Sequence, residues 1–294
     1  MKTHKLIVVA LTALFLFSLN ALAGESSKNN PAGSNSDELY FGQKPPGEKA
    51  EIFAPEVMKY EPHDSPVILE NENLMIVGAM EVGIKFYRMT DGKLSPVSNP
   101  LGFDVPAICQ GMAVSPALDR LYIRDWNDRD PYFYFIDKTE DGWTAPKKLS
   151  DEVNSIDTHW QFTIADNENL YFLSRSQGIV VAVFDGKTHL KPVPLKLEDG
   201  SNMQGGSPYI SPDESYILFA MDNDLYISYN MKNGQWTTPK NLGPEINSGY
   251  MDNCPRISPN GKYLFFTSRK NGPDWVLCWA DASFVEKLRP EFLK

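Results

Sequence analysis

The 294-residue sequence predicts an all-β chain, a β-propeller most simply read as five blades of four antiparallel strands. Three observations predict it. Five related segments begin at residues 68, 115, 164, 211 and 258, so their starts lie 47, 49, 47 and 47 residues apart. Each period holds four short apolar runs bounded by Gly, Pro, Asn and Asp. An N-terminal piece, Glu51-IFAPEVMKYEPHD, resembles the fourth-run segment Trp143–Asn154 (WTAPKKLSDEVN) and offers a strand with which the ring could close.

The repeat is clearest from Trp236 to Phe266. A run over Gln235–Leu242 is followed by a turn-rich connection and a second run, Pro255–Ile257. A Ser258-Pro259-Asn260-Gly261 turn then leads into Lys262–Thr267, with Tyr, Leu and two Phe. The other turn-to-strand copies are Ile68-LENENLMI, Ser115-PALDRLYI, Ile164-ADNENLYF and Ser211-PDESYILF. Third strands are expected over Ile84–Met89, Tyr132–Ile136, Val180–Phe184, Leu225–Tyr229 and Val276–Ala280. Outer segments follow at Leu94, Trp143, Leu190, Trp236 and Phe284. An open propeller leaves a sheet edge of unpaired backbone groups. Ile52–Val57 is therefore expected as the outer strand of the last blade, leaving Phe284–Lys294 spare as a short helix at the rim. A sixth blade would need a sixth copy, and none is found.

These residues resemble the TolB-type WD40-like β-propeller repeat (PD40) family. The resemblance is carried by Trp236, Pro239, Asn241, Leu242, Gly243, Ile246, Asn247, Pro255, Ser258, Pro259, Gly261 and Lys262, with Phe265, Ser268 and Arg269. It covers roughly Phe53 to Ala280 and weakens in the first and third copies, where the Ser-Pro turn is lost. It implies a propeller fold and an export compartment. The family spans partner-binding propellers, repeat domains of cell-wall-binding proteins and relatives acting on sugars, so it says less about activity.

Lys2 and Lys5 precede the apolar run Leu6–Leu19 and then Ala21-Leu22-Ala23, the pattern of a signal peptide over residues 1–23. The run is shorter than the ~20 residues of a spanning helix, and no lipid-accepting cysteine follows. A periplasmic or secreted protein is expected, with no membrane association after cleavage. Residues 24–38 are small and polar, a flexible leader. Residues 39–294 form the single propeller domain. Tyr40 and Phe41 are expected to pack on its side, with peptide docking as the sharper alternative. Removing Lys2 and Lys5 takes the formal charge from −10 to −12. No basic stripe is present, which argues against nucleic acid. Cys109, Cys254 and Cys278 lack zinc-type spacing and read as buried thiols, although a Cys254–Cys278 bond is conceivable.

No HExxH, GxSxG, P-loop or GxGxxG motif occurs. A propeller can still assemble a site from distant residues, because the loop entering each innermost strand lies at one mouth of the central channel. On this register His63, Asp64, Gln110, Asp157, His159, Gln204, Asp252 and Asn253 converge there. Imidazole, carboxylate and amide groups together could bind a sugar or a divalent metal, calcium or a transition metal, with His63 and His159 as metal ligands. Asp157 or Asp252 could serve as general base. The bland alternative is that these groups hydrogen-bond loop backbone. Arg124, Arg175 and Arg269 recur after second strands and read as structural. Trp126, in an acidic loop over Asp125–Asp130, is a candidate contact for a sugar or a partner. Two functions stand. One is a non-catalytic binding module for a protein partner or a cell-wall or extracellular glycan; the other is a carbohydrate-active lyase or hydrolase.

Overall fold

The structure, a computed structural model, describes residues 39–79, 83–100, 109–125, 132–140 and 142–294. At residues 72, 109, 110, 125 and 158–160 it describes the backbone alone. The signal peptide and leader expected over residues 1–38 lie outside the described residues, as do Trp126 and most of its loop.

Five antiparallel sheets follow one another in sequence, each ordered inner to outer as a meander. Blade 1 runs Val67–Leu69, Leu74–Ala79, Gly83–Thr90 and Lys93–Val97. Blade 2 runs Cys109–Val114, Arg120–Asp125, Tyr132–Thr139 and Lys147–Lys148, with Gly142–Trp143 also paired to its third strand. Blade 3 runs Thr158–Ile164, Leu170–Ser174, Gly178–Ala182 and Val193–Pro194. Its third strand starts two residues earlier than the sequence suggests. Blade 4 runs Gly206–Ile210, Tyr216–Met221, Asp224–Tyr229 and Lys240–Asn241.

Blade 5 contributes Asp252–Ile257, Tyr263–Ser268 and Val276–Asp281, and its outer strand comes from the N-terminal side of the domain. Glu51–Ile52 pairs with Trp279 and Cys278. This strand is shorter than the expected Ile52–Val57. Phe53 still donates its N–H to Leu277 O at 2.8 Å, but Ala54 takes a left-handed φ of 41° and turns the backbone away. The spare C-terminus forms the helix Phe284–Leu288, whose Phe284 and Val285 pack into the blade 4–blade 5 interface.

The core consists of five interfaces between blades. Second strands are apolar at nearly every position because successive side chains enter opposite interfaces. Leu121 and Ile123 face blade 1, whereas Tyr122 between them faces blade 3. Ile217 and Phe219 face blade 3, and Leu218 faces blade 5. Each such side chain withdrawn from water contributes about 1.5–3 kcal/mol. The Ser-Pro turns have a local cause. The Ser258 hydroxyl accepts from Tyr263 N at 3.0 Å and donates to Asn260 at 2.8 Å; Ser211 does the same with Tyr216 N and Asp213. Neither free cysteine for which a side chain is described, Cys254 or Cys278, is disulfide-bonded; both are buried.

Candidate functional site

Four inner strands shift register at the same place: between Cys109 and Met112, His159 and Phe162, Gly206 and Tyr209, and Asn253 and Arg256. Each bulge turns one residue toward the axis. Those residues are Gly111, Gln161, Ser207 and Cys254, and Ser65 occupies the matching place in blade 1. Ser65, Gln161, Ser207 and Cys254 are linked by hydrogen bonds across the axis and form a plug there. Ser207 donates to Gln161 Oε1 at 2.7 Å, and Gln161 Nε2 donates to His63 O at 3.4 Å. The Cys254 thiol lies 3.6 Å from the same carbonyl, and Ser65 donates to Cys254 O. Gly111 supplies the remaining room, since a Cβ there would come within 3.1 Å of the Phe162 ring.

On the side of this plug expected to hold the site, the polar groups are mostly engaged by their own loops. Asp157 is exposed and accepts from Ser174 at 2.6 Å and Ser176 at 3.1 Å. Its slight burial opposes ionisation, but these bonds hold its carboxyl below the usual range. Asp252 is fully buried and accepts from Ser248 N at 2.6 Å and Ser248 Oγ at 2.8 Å. Asn253 accepts from Cys254 N, and the exposed Gln204 donates to Asn202 O. His63 donates its backbone N–H to Gly78 O; its Nδ1 is buried without a hydrogen-bond partner, and burial pushes the imidazole pKa down. Gln110 and His159 sit on the inner strands of blades 2 and 3, and their side chains lie outside the described atoms. Among the described residues, no group of three or more His, Cys, Asp or Glu could hold a metal ion. Asp157, Gln204 and Asp252 are thus each hydrogen-bonded to near neighbours along their own blades. No helix among the described residues is long and apolar enough to cross a membrane.

Asp64 lies against the plug, beside Ser65 and Gly111. It is 6% exposed and accepts from Ser65 N at 2.7 Å. Burial pushes its carboxyl up to about 6, against the pull of the Arg256 guanidinium and the Ser65 N–H.

Arg256 belongs to a cavity that the sequence did not reveal. Two residues beyond the plug, the inner strands present Val67, Ala113, Thr163, Tyr209 and Arg256. From there to the turns at the opposite mouth they enclose a funnel of about 500 Å³. Ile68, Val114, Ile164 and Ile210 add to its wall, and Pro116, Pro212 and Pro259 of the turns stand at its rim. Its wall is mainly apolar. Among the described residues, Arg256 is the one cation lining it; Nη2 donates to Met112 O at 3.0 Å, while Nε is buried without a hydrogen-bond partner. Glu70 and Asp166 stand at the turn end. The volume suits a small ligand or a few residues of a peptide.

The recurring arginines are not one set. Arg124 is wholly buried within its strand, Arg175 is exposed just past Ser174, and Arg269 lies 4.8 Å over the Trp275 ring.

No family model matches the sequence, and no curated protein matches it. Solved structures do. One is an engineered GH43 glycoside hydrolase with endo-xylanase and exo-arabinofuranosidase activity, at TM-score 0.48 and 13% identity, over 79% of this chain and 52% of that one. The present chain thus spans about half the length of that protein. A TolB of Agrobacterium tumefaciens gives TM-score 0.47 and 16% identity, over 74% of this chain and 76% of that one. A gluconolactonase of Xanthomonas campestris gives 0.46 and 12%, over 80% and 96%. No activity passes to this protein from likenesses at this level.

Proposed function

We propose that the protein is an exported, TolB-like propeller acting as a non-catalytic binding module, and that its ligand enters the apolar funnel at the turn mouth. The observation that carries this reading is the funnel itself, a cavity of about 500 Å³ closed at its inner end by the Ser65–Gln161–Ser207–Cys254 plug. Of the two ligand classes open from the sequence, a protein partner presenting an apolar group fits this wall better than a glycan. Sugar hydroxyls placed there would give up water without enough polar partners in return. Export rests on the signal-peptide pattern of residues 1–23, and kinship to the TolB-type repeats rests on the motif residues around Ser258.

The other reading, a carbohydrate-active enzyme at the opposite mouth, needs two carboxylates flanking one substrate. Asp157 and Asp252 are instead held by Ser174, Ser176 and Ser248. A photo-crosslinking residue placed at Pro212 or Pro259 in the producing cell should yield a specific adduct. One at Tyr250, exposed beside the opposite mouth, should not. Adducts from Tyr250 alone would refute the funnel assignment. Turnover of a polysaccharide by the purified protein, lost in Asp157→Asn or Asp252→Asn, would restore the enzyme reading.

A further inference from the structure

The charge in the funnel is ordered by depth. The guanidinium of Arg256 stands on the ring of side chains next to the plug, level with Thr163 and Tyr209. The carboxylates of Glu70 and Asp166 belong to the turns at the other end of the same inner strands. Between them the wall is mainly apolar, with Ile68, Val114, Ile164 and Ile210. An apolar ligand with a uniformly negative outer part would be repelled at the rim, whereas one that carries its negative charge inward meets Arg256 at depth. Arg256 is suited to that meeting. Its Nη2 is fixed on Met112 O and its Nε is buried with no hydrogen-bond partner, an uncommon and unfavourable state for a buried donor. Guanidinium forks pair with carboxylates through two parallel bonds. Asp64, buried one residue before Ser65 of the plug, attracts Arg256 but forms no ion pair with it among the described residues.

We infer that the funnel recognises an apolar group ending in a carboxylate, inserted acid first so that the carboxylate reaches Arg256 while the other end lies between Glu70 and Asp166. This rests on the funnel being the binding site, and it adds the chemistry of what enters. The C-terminus of a protein with aliphatic last residues and a free short peptide share that chemistry. The plug at the inner end fits a terminus rather than a segment threaded through the channel.

The test measures the binding of four probes to the purified protein by isothermal titration calorimetry. They are alanyl-valyl-leucine, its C-terminal amide, and both forms extended at the N-terminus by acetyl-glycyl-glycine. The free acids should bind at least about tenfold tighter than the matching amides, within what one charge-assisted bond supplies. Arg256→Gln should lower acid affinity by at least about tenfold more than amide affinity, abolishing that preference. Arg256→Lys, which keeps the charge but not the fork, should reduce it, and carries the test if the Gln variant does not fold. Asp64→Asn, which removes the competing carboxylate, should increase it; a purely structural role for Arg256 predicts no such change. Tight binding of the extended acid marks a protein C-terminus as the source, and binding of the short acid alone marks a free peptide. Acid and amide binding equally would overturn carboxylate recognition while leaving the funnel as the site. No binding of any probe at millimolar concentration would overturn both.

Discussion

Asp64 shows how one buried carboxyl couples the axis of the ring to pH. Desolvation is the larger influence on it, and the Arg256 charge and Ser65 N–H only partly offset it, leaving the carboxyl near 6 against 3.8 unperturbed. The folded state therefore holds this proton more tightly than the unfolded state does. The contribution of Asp64 to stability is fully present below about pH 4. It falls as pH rises through the folded value and stays lost above it. A shift of that size corresponds to about 3 kcal/mol. Asp64→Asn retains an acceptor for Ser65 N but cannot ionise. It should be more stable than the parent at pH 7.5 by a margin up to about 3 kcal/mol larger than at pH 4. Urea denaturation at the two pH values measures that difference, and a margin independent of pH would show that Asp64 does not titrate as described. The plug around it has no titrating thiol, because burial pushes the Cys254 sulfhydryl well above its usual range.

Between elements, the turns joining first and second strands do more than reverse the backbone. Asn73, Leu118, Glu168, Glu214 and Gly261 occupy the same left-handed position in the five blades, with φ between 51° and 74°. Only Asn and Gly adopt that conformation readily. At two of the costly positions the side chain forms a latch to the preceding blade. Tyr122 donates to Glu168 at 3.0 Å, and Tyr171 donates to Glu214 at 2.6 Å, where Asn169 Nδ2 also donates at 2.8 Å. A hydrogen bond to a charged acceptor is worth about 1.5–3 kcal/mol. Tyr171→Phe should lower unfolding stability by that amount, and a loss under about 0.5 kcal/mol would mean the latch is solvated away. The turns and second strands were legible in the sequence because their causes are local: a Ser hydroxyl capping its own turn, and apolar runs buried on both faces. The bulges in the inner strands were not legible. Gly111, Gln161, Ser207 and Cys254 share no residue type, and only their meeting at the axis sets their conformation.

For the whole ring, the same distinction explains which mouth the sequence could disclose. Polar residues before each inner strand are conspicuous in a string of letters, yet Asp157 and Asp252 are held by serines of their own blades. The funnel is built from Val67, Ala113, Thr163 and Tyr209, contributed by four blades, and each alone reads as ordinary core. One signal was available: Arg256 is the single charged residue at this position of the repeat. Closure was legible, because the N-terminal strand resembles the outer strands it joins. Its energetics centre on Phe53, wholly buried with ring centroids 5.2 Å from Phe265 and 5.0 Å from Trp279. Ala50 O accepts from Lys270 Nζ at 3.0 Å, and Gly47 O accepts from Asp281 N at 2.9 Å. Phe53 packs with Met75 and Val77 of blade 1 and Leu277 of blade 5, so it spans the interface at which first and last repeats meet. Phe53→Ala should cost about 3–5 kcal/mol, and the loss should be directional. Amide hydrogen exchange should quicken most in Leu74–Ala79 and Val276–Asp281 and least in Leu170–Ser174 of blade 3, far from the closure. Equal acceleration in all five blades would mean that the ring unfolds as one unit and that the N-terminal strand is not its weakest seam.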